Sequence, residues 1–237
     1  ATTHQHGYLV STSDGIFTNI GRICGAKYLD LDFDRVRKEY RIKRKASDNL
    51  ASLTEIRANF SAHQDRLDSV ISRVNLLAKC RKFLFEAMPN QFATSISMSK
   101  KGLREVVVIR RMSKREASIH FAQTNTSGKD YEGRRPTLDV VVGNLAGGDI
   151  FKENIDDLVR NEIIKPLSEI KSITDFSLST LTDKKLEDLS RNTNNAIRLI
   201  SKAEDLVNQG VRFYSPDNIK LFEYMGAESK EIGRAHV

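Results

Sequence analysis

From residue 53 to residue 88 the chain places a hydrophobic position at alternating steps of three and four. The positions are Leu53, Ile56, Phe60, His63, Leu67, Val70, Val74, Leu77, Arg81, Leu84 and Met88, and only His63 and Arg81 break the stripe. A repeat averaging 3.5 residues keeps one narrow face turned toward a partner, and predicts a long, coiled-coil-like helix over residues 34–88. Neither Gly nor Pro interrupts it before Pro89, which cannot continue the helix and pushes the preceding residue toward extended backbone. The partner helix belongs either to this chain or to a second copy of it.

Alternation with a period of two marks other stretches. Tyr8–Ser13 and Ile16–Ile20 flank Asp14-Gly15, a strong signal for a hairpin with a type I′ turn. Glu105–Arg111, Ala117–Thr124 and Thr137–Val142 predict a three-stranded antiparallel sheet with His120 on one face as a satisfied structural residue. The Ser-rich segment Gln91–Lys101 reads as a loop. Helical spacing returns with Ile155, Leu158, Val159, Ile163, Leu167 and Ile170, in a helix kinked or broken near Pro166. It returns again with Leu186, Leu189, Thr193, Ile197, Ile200, Ala203 and Val207, in a helix expected to stop at Gly210 and to pack against the first long one. Ser215-Pro216 reads as the cap and first residue of a short last helix.

The pattern predicts an α+β, mainly α fold: an N-terminal β-hairpin, a long coiled-coil-like helix, a small antiparallel sheet and a C-terminal helical hairpin. The expected divisions fall at 1–33, 34–90, 91–150, 151–230 and 231–237. The last of these, through Ile232–Val237, resembles a translated short-read sequencing adapter. It is read as an artefact at the end of a fragment whose first residue is Ala1.

Composition changes this picture chiefly through charge. Apolar residues make up 39% of the chain and charged residues 29%, a polar balance that suits an elongated protein. The net charge is +7. Between residues 35 and 45 stand Arg35, Arg37, Lys38, Arg41, Lys43, Arg44 and Lys45 against the single acid Glu39, which is 7 − 1 = +6. Nearly the whole excess therefore sits on three turns at the start of the long helix, where it opposes the helix dipole. Such a segment is either a solvated face or an arm that lies along phosphates. No apolar run approaches the length that spans a bilayer, so no membrane partner is expected. Two cysteines in unlike contexts, Cys24 and Cys80, suit a reducing cytoplasm better than a disulfide framework.

Over residues 4–29, the hairpin followed by Cys24-Gly25-Ala26-Lys27 resembles one knuckle of a zinc ribbon or treble clef. The resemblance implies a zinc ligand at Cys24. The paired cysteines that usually precede such a hairpin are missing, and His4 and His6 are the available substitutes, giving three donors where tetrahedral zinc takes four. On the alternative reading, Cys24 is a small buried hydrophobe at a strand end and the two histidines belong to an exposed tail.

No nucleophile–base–acid set and no complete metal cluster can be assembled, so a binding protein is expected rather than an enzyme. In type the chain is similar to bacterial or phage accessory proteins. Two functions stand side by side: nucleic-acid binding through the basic arm, without base readout, or a self-associating or partner-binding scaffold that uses the Leu53–Leu84 seam. A third, phosphate binding at the turn Gly143–Asp149, lacks the Gly-Lys-Ser/Thr and GxGxxG spacings; a tight turn capped by Asp149 explains the same residues.

Overall fold

The computed structural model describes residues 7–11, 13–28 and 32–225. The fold is mainly helical with two small antiparallel sheets, as the pattern predicts.

The chain begins with β1 (Tyr8–Ser11) and β2 (Phe17–Ile20), paired antiparallel with Tyr8 opposite Ile20 and Ser11 opposite Phe17. The hairpin forms, but its connection is longer than a type I′ turn. Gly15 has a positive φ of 79°, whereas Asp14 does not reach the left-handed region. Helix α1 (Arg22–Tyr28) follows.

The predicted long helix is two helices, α2 (Asp32–Ala58) and α3 (Phe60–Ala87). The interruption falls at Asn59. Its backbone N–H still donates to the Glu55 carbonyl at 3.0 Å, but its side-chain amide donates to the same carbonyl at 3.1 Å, the local competition that makes Asn a poor interior helix residue. The stripe itself turns inward: Leu53, Ile56, Leu67, Val70, Val74, Leu77 and Leu84 are all buried. His63 is half-buried and Arg81 exposed.

Past Met88 the expectation of a loop is corrected. Pro89 opens α4 (Pro89–Lys100), where its missing N–H is one that a helix start leaves unpaired anyway. The serines misled because they are read as loop formers, yet Ser95 and Ser99 lie with Phe92 on the buried face. The Ser95 hydroxyl is satisfied within its own helix, donating to the Phe92 carbonyl at 2.7 Å.

The three-stranded sheet is corrected to two strands, β3 (Glu105–Arg111) and, after an intervening helix, β4 (Thr137–Asn144), antiparallel with Arg111 opposite Thr137. The segment read as the middle strand is α5 (Lys114–Thr124). A capping box decides it: Glu116 N–H donates to Ser113 Oγ at 3.2 Å, and Ser113 N–H donates to Glu116 Oε2 at 2.7 Å. Asn125, at φ 51°, closes the helix in the left-handed region.

After a 3₁₀ turn (Gly148–Phe151) come α6 (Ile155–Asp157), a π-helical stretch (Leu158–Ile164) and α7 (Lys165–Ser172). The disturbance expected near Pro166 takes the form of this wider helix, in which Lys165 N–H reaches back five residues to the Arg160 carbonyl. The remaining helices are α8 (Asp175–Ser179), α9 (Asp183–Phe213) and α10 (Pro216–Phe222). Helix α9 does not stop at Gly210. There a Cβ would stand 2.5 Å from Leu77 Cδ1, so the glycine serves a close approach between α9 and α3 rather than a helix end.

The chain divides into two compact units, one drawn from Ala1–Phe60 and Leu167–Asn194, the other from Ser61–Pro166 and Asn195–Val237. The first unit has a core of Leu53, Ile170, Leu178, Leu186 and Leu189, with Leu50, Phe60, Ile173 and Leu181 packed around it. Within it Lys45 pairs with Glu187 and Asn194 donates to Ser52, both across 142 residues, so α2 and the start of α9 run parallel.

The core of the second unit is aromatic. Phe92, fully buried, has the rings of Phe151, Phe213, Tyr214 and Phe222 at centroid distances of 6.2–6.4 Å. A buried amide joins the loop after β4 to the end of α9. Asn218 Nδ2 donates to the carbonyls of Ala146 (2.8 Å) and Phe213 (3.0 Å), and its Oδ1 accepts from Ala146 N–H at 3.1 Å. Within this unit α3 is joined to the second half of α9 by Arg66, whose Nε and Nη2 donate to Glu204 at 3.0 and 2.7 Å, and by Arg73, which donates to Asn208 at 2.6 Å.

Candidate nucleic-acid interface

All seven bases of the charged segment lie on the first half of α2. At 100° per residue, Arg37, Lys38, Arg41, Arg44 and Lys45 fall within one arc of about 120°, while Arg35 and Lys43 lie outside it. From residue 37 to residue 45 the helix rises about 12 Å, so the arc is a short stripe.

Its members are not equivalent. Arg37 is drawn inward, with 16% of its side chain exposed and an ion pair to Asp34 at 3.7 Å. Lys45 is tied to Glu187 at 2.7 Å, a contact that holds the Glu187 carboxyl below the usual carboxylate range. Arg35 also has a partner. Lys38, Arg41, Lys43 and Arg44 are exposed, and none of them has an acidic partner among the described residues. Three of these four, Lys38, Arg41 and Arg44, share the stripe. Val36, Tyr40 and Ile42 are exposed on the same stretch of helix, so the surface offers apolar edges beside its charges.

The other residues singled out by the sequence are not brought to this face. Cys24 stands inside α1 and is half-buried; Gly25 beside it is helical, so the hairpin-end turn of the knuckle is not formed there. His4 and His6 lie outside the described residues. Cys24 supplies one of the four donors zinc takes, and among the described residues no group of three or more His, Cys, Asp or Glu side chains is placed to hold a metal. His120, on α5 rather than on a strand, has its Nε2 3.0 Å from the Tyr131 hydroxyl.

At the turn Gly143–Asp149, Gly147 has a φ of 72°, and a Cβ on it would come within 2.0 Å of the Gln209 carbonyl oxygen. The backbone is thus closed against α9, and the Asp149 carboxylate at the end of the turn pairs with Lys152 at 2.7 Å. Along the Leu53–Leu84 seam, Leu53, Ile56, Leu67, Val70, Val74, Leu77 and Leu84 are buried within the chain itself.

Sequence reasoning did not separate the free bases from the engaged ones. The partner of Lys45, Glu187, comes from 142 residues away, and no local signal announces it. No protein-family model matches the chain, and neither does a curated protein or a solved structure.

Proposed function

We propose that the chain binds nucleic acid through the phosphate backbone, using the exposed stripe of α2, and that it does so without reading bases. The observation that carries this reading is the set Lys38, Arg41 and Arg44 on one helix face, exposed and without acidic partners among the described residues. A charge cluster built to stabilise the fold would be engaged, as Lys45 is by Glu187. These three instead leave their like charges close together on one helix face, a repulsion that an anionic partner would relieve. Long basic side chains on a helix suit phosphate tracking, because each makes a point contact that carries no sequence information.

The scaffold reading has less support, because the seam on which it depends is covered by the chain itself. The test is charge reversal. Lys38→Glu, Arg41→Glu and Arg44→Glu together should abolish binding to a short duplex at low salt while leaving the helical circular dichroism unchanged. Equal binding by the wild-type and triple-variant proteins would remove the proposal.

A further inference from the structure

Away from the basic stripe, the second unit contains a cavity of about 510 Å³, within the range of small-molecule sites. Leu77 of α3, Ile96 of α4 and Ile150 give it an apolar wall, and Arg81, Lys100 and Tyr214 give it a polar one. The remaining charges at its edge are partly neutralised: Lys152 pairs with Asp149 at 2.7 Å, and Glu153 pairs with Lys202 at 2.6 Å. That leaves Arg81 and Lys100, both exposed and neither with an acidic partner among the described residues, against the one carboxylate of Asp156.

Arg81 is also the residue that the apolar repeat does not explain. It stands where the stripe calls for a hydrophobic side chain, and the helix places it at the mouth of the cavity instead of in the core. Tyr214, which lines the same cavity, is packed against Phe213 and Phe92.

We infer that this cavity binds a small amphipathic anion, its apolar body against Leu77, Ile96 and Ile150 and its carboxylate or phosphate head against Arg81 and Lys100. The site is independent of the basic stripe and stands or falls apart from it.

The test uses the fluorescent probe 1-anilinonaphthalene-8-sulfonate on the whole chain, with decanoate, phenyl phosphate and the neutral decanol as competitors. The probe should bind and be displaced by at least one of the two anions, and the anion that displaces it better identifies the head group. Decanol should displace it at least tenfold less effectively. Arg81→Gln combined with Lys100→Gln should weaken probe binding by about tenfold, the loss expected for charge-assisted contacts. Because both residues are exposed, the thermal melt of the double variant should match that of the wild type. Displacement by decanol as effective as by either anion, or unchanged probe binding in the double variant, would overturn the inference.

Discussion

Replacing Gly147 with alanine tests how closely the loop after β4 is held against α9. At φ 72° an alanine carries left-handed strain of about 1–2 kcal/mol. The added Cβ would also lie 2.0 Å from the Gln209 carbonyl oxygen and 2.6 Å from the Phe213 nitrogen, both backbone atoms that cannot rotate away. Relief requires the loop to move off the helix, and that movement breaks the two hydrogen bonds between Asn218 and Ala146, at about 1 kcal/mol each. The sum is a destabilisation of about 3–4 kcal/mol. Gly102 supplies the control: it has a φ of 74°, but a Cβ there meets nothing within 4 Å. Gly102→Ala should therefore cost only the strain, about 1–2 kcal/mol. Urea unfolding followed by circular dichroism measures both variants. If they lose the same stability, the close approach of this loop to α9 is wrong.

Other outcomes follow from single contacts. Asn218→Ala should cost about 1–3 kcal/mol in the same urea assay, since it removes the partner of the buried Phe213 carbonyl and of the part-buried Ala146 backbone groups. Phe92→Ala should cost about 3–5 kcal/mol by opening the centre of the aromatic cluster. Burial pushes the Tyr214 hydroxyl up to about 12, so in an ultraviolet titration of the six tyrosines one phenolate should appear last, and Tyr214→Phe should remove that phase. Because its folded pKa is raised, Tyr214 contributes stability that is complete below the ordinary tyrosine range and is lost as the pH climbs toward 12. Glu204 behaves in the opposite sense. Arg66 depresses its pKa, so its contribution is present above the ordinary carboxylate range and fades as the pH falls through the folded value; acid unfolding of Glu204→Gln should accordingly be flatter than that of the wild type.

The parts of the fold legible in the sequence were those written as periodic repeats or as local cap signals. The stripe from Leu53 to Leu84, the runs Glu105–Arg111 and Thr137–Val142, and the Ser215-Pro216 start of α10 each carry a local signature that the packing respects. The errors came where composition was weighed over position. Ser residues between 91 and 101 suggested a loop, but Pro89 at a helix start and Phe92 facing the core outweighed them. Residues 117–124 look strand-like only if Ser113 and Glu116 are not seen as a capping box. Gly210 suggested an end because glycine often closes helices, whereas its role here is set by Leu77, 133 residues earlier. For the candidate site, the sequence located the basic segment but not which bases are spent. That depends on Asp34 and Glu187, and only the latter contact is long-range.

The most direct test of the nucleic-acid reading is the salt dependence of binding to a short DNA duplex by the wild-type protein. Three phosphates neutralised by Lys38, Arg41 and Arg44 should give a slope of about −2.7 for log K against log salt, or a loss of roughly fortyfold between 50 and 200 mM. A slope near zero, or no binding at 50 mM, would contradict the account.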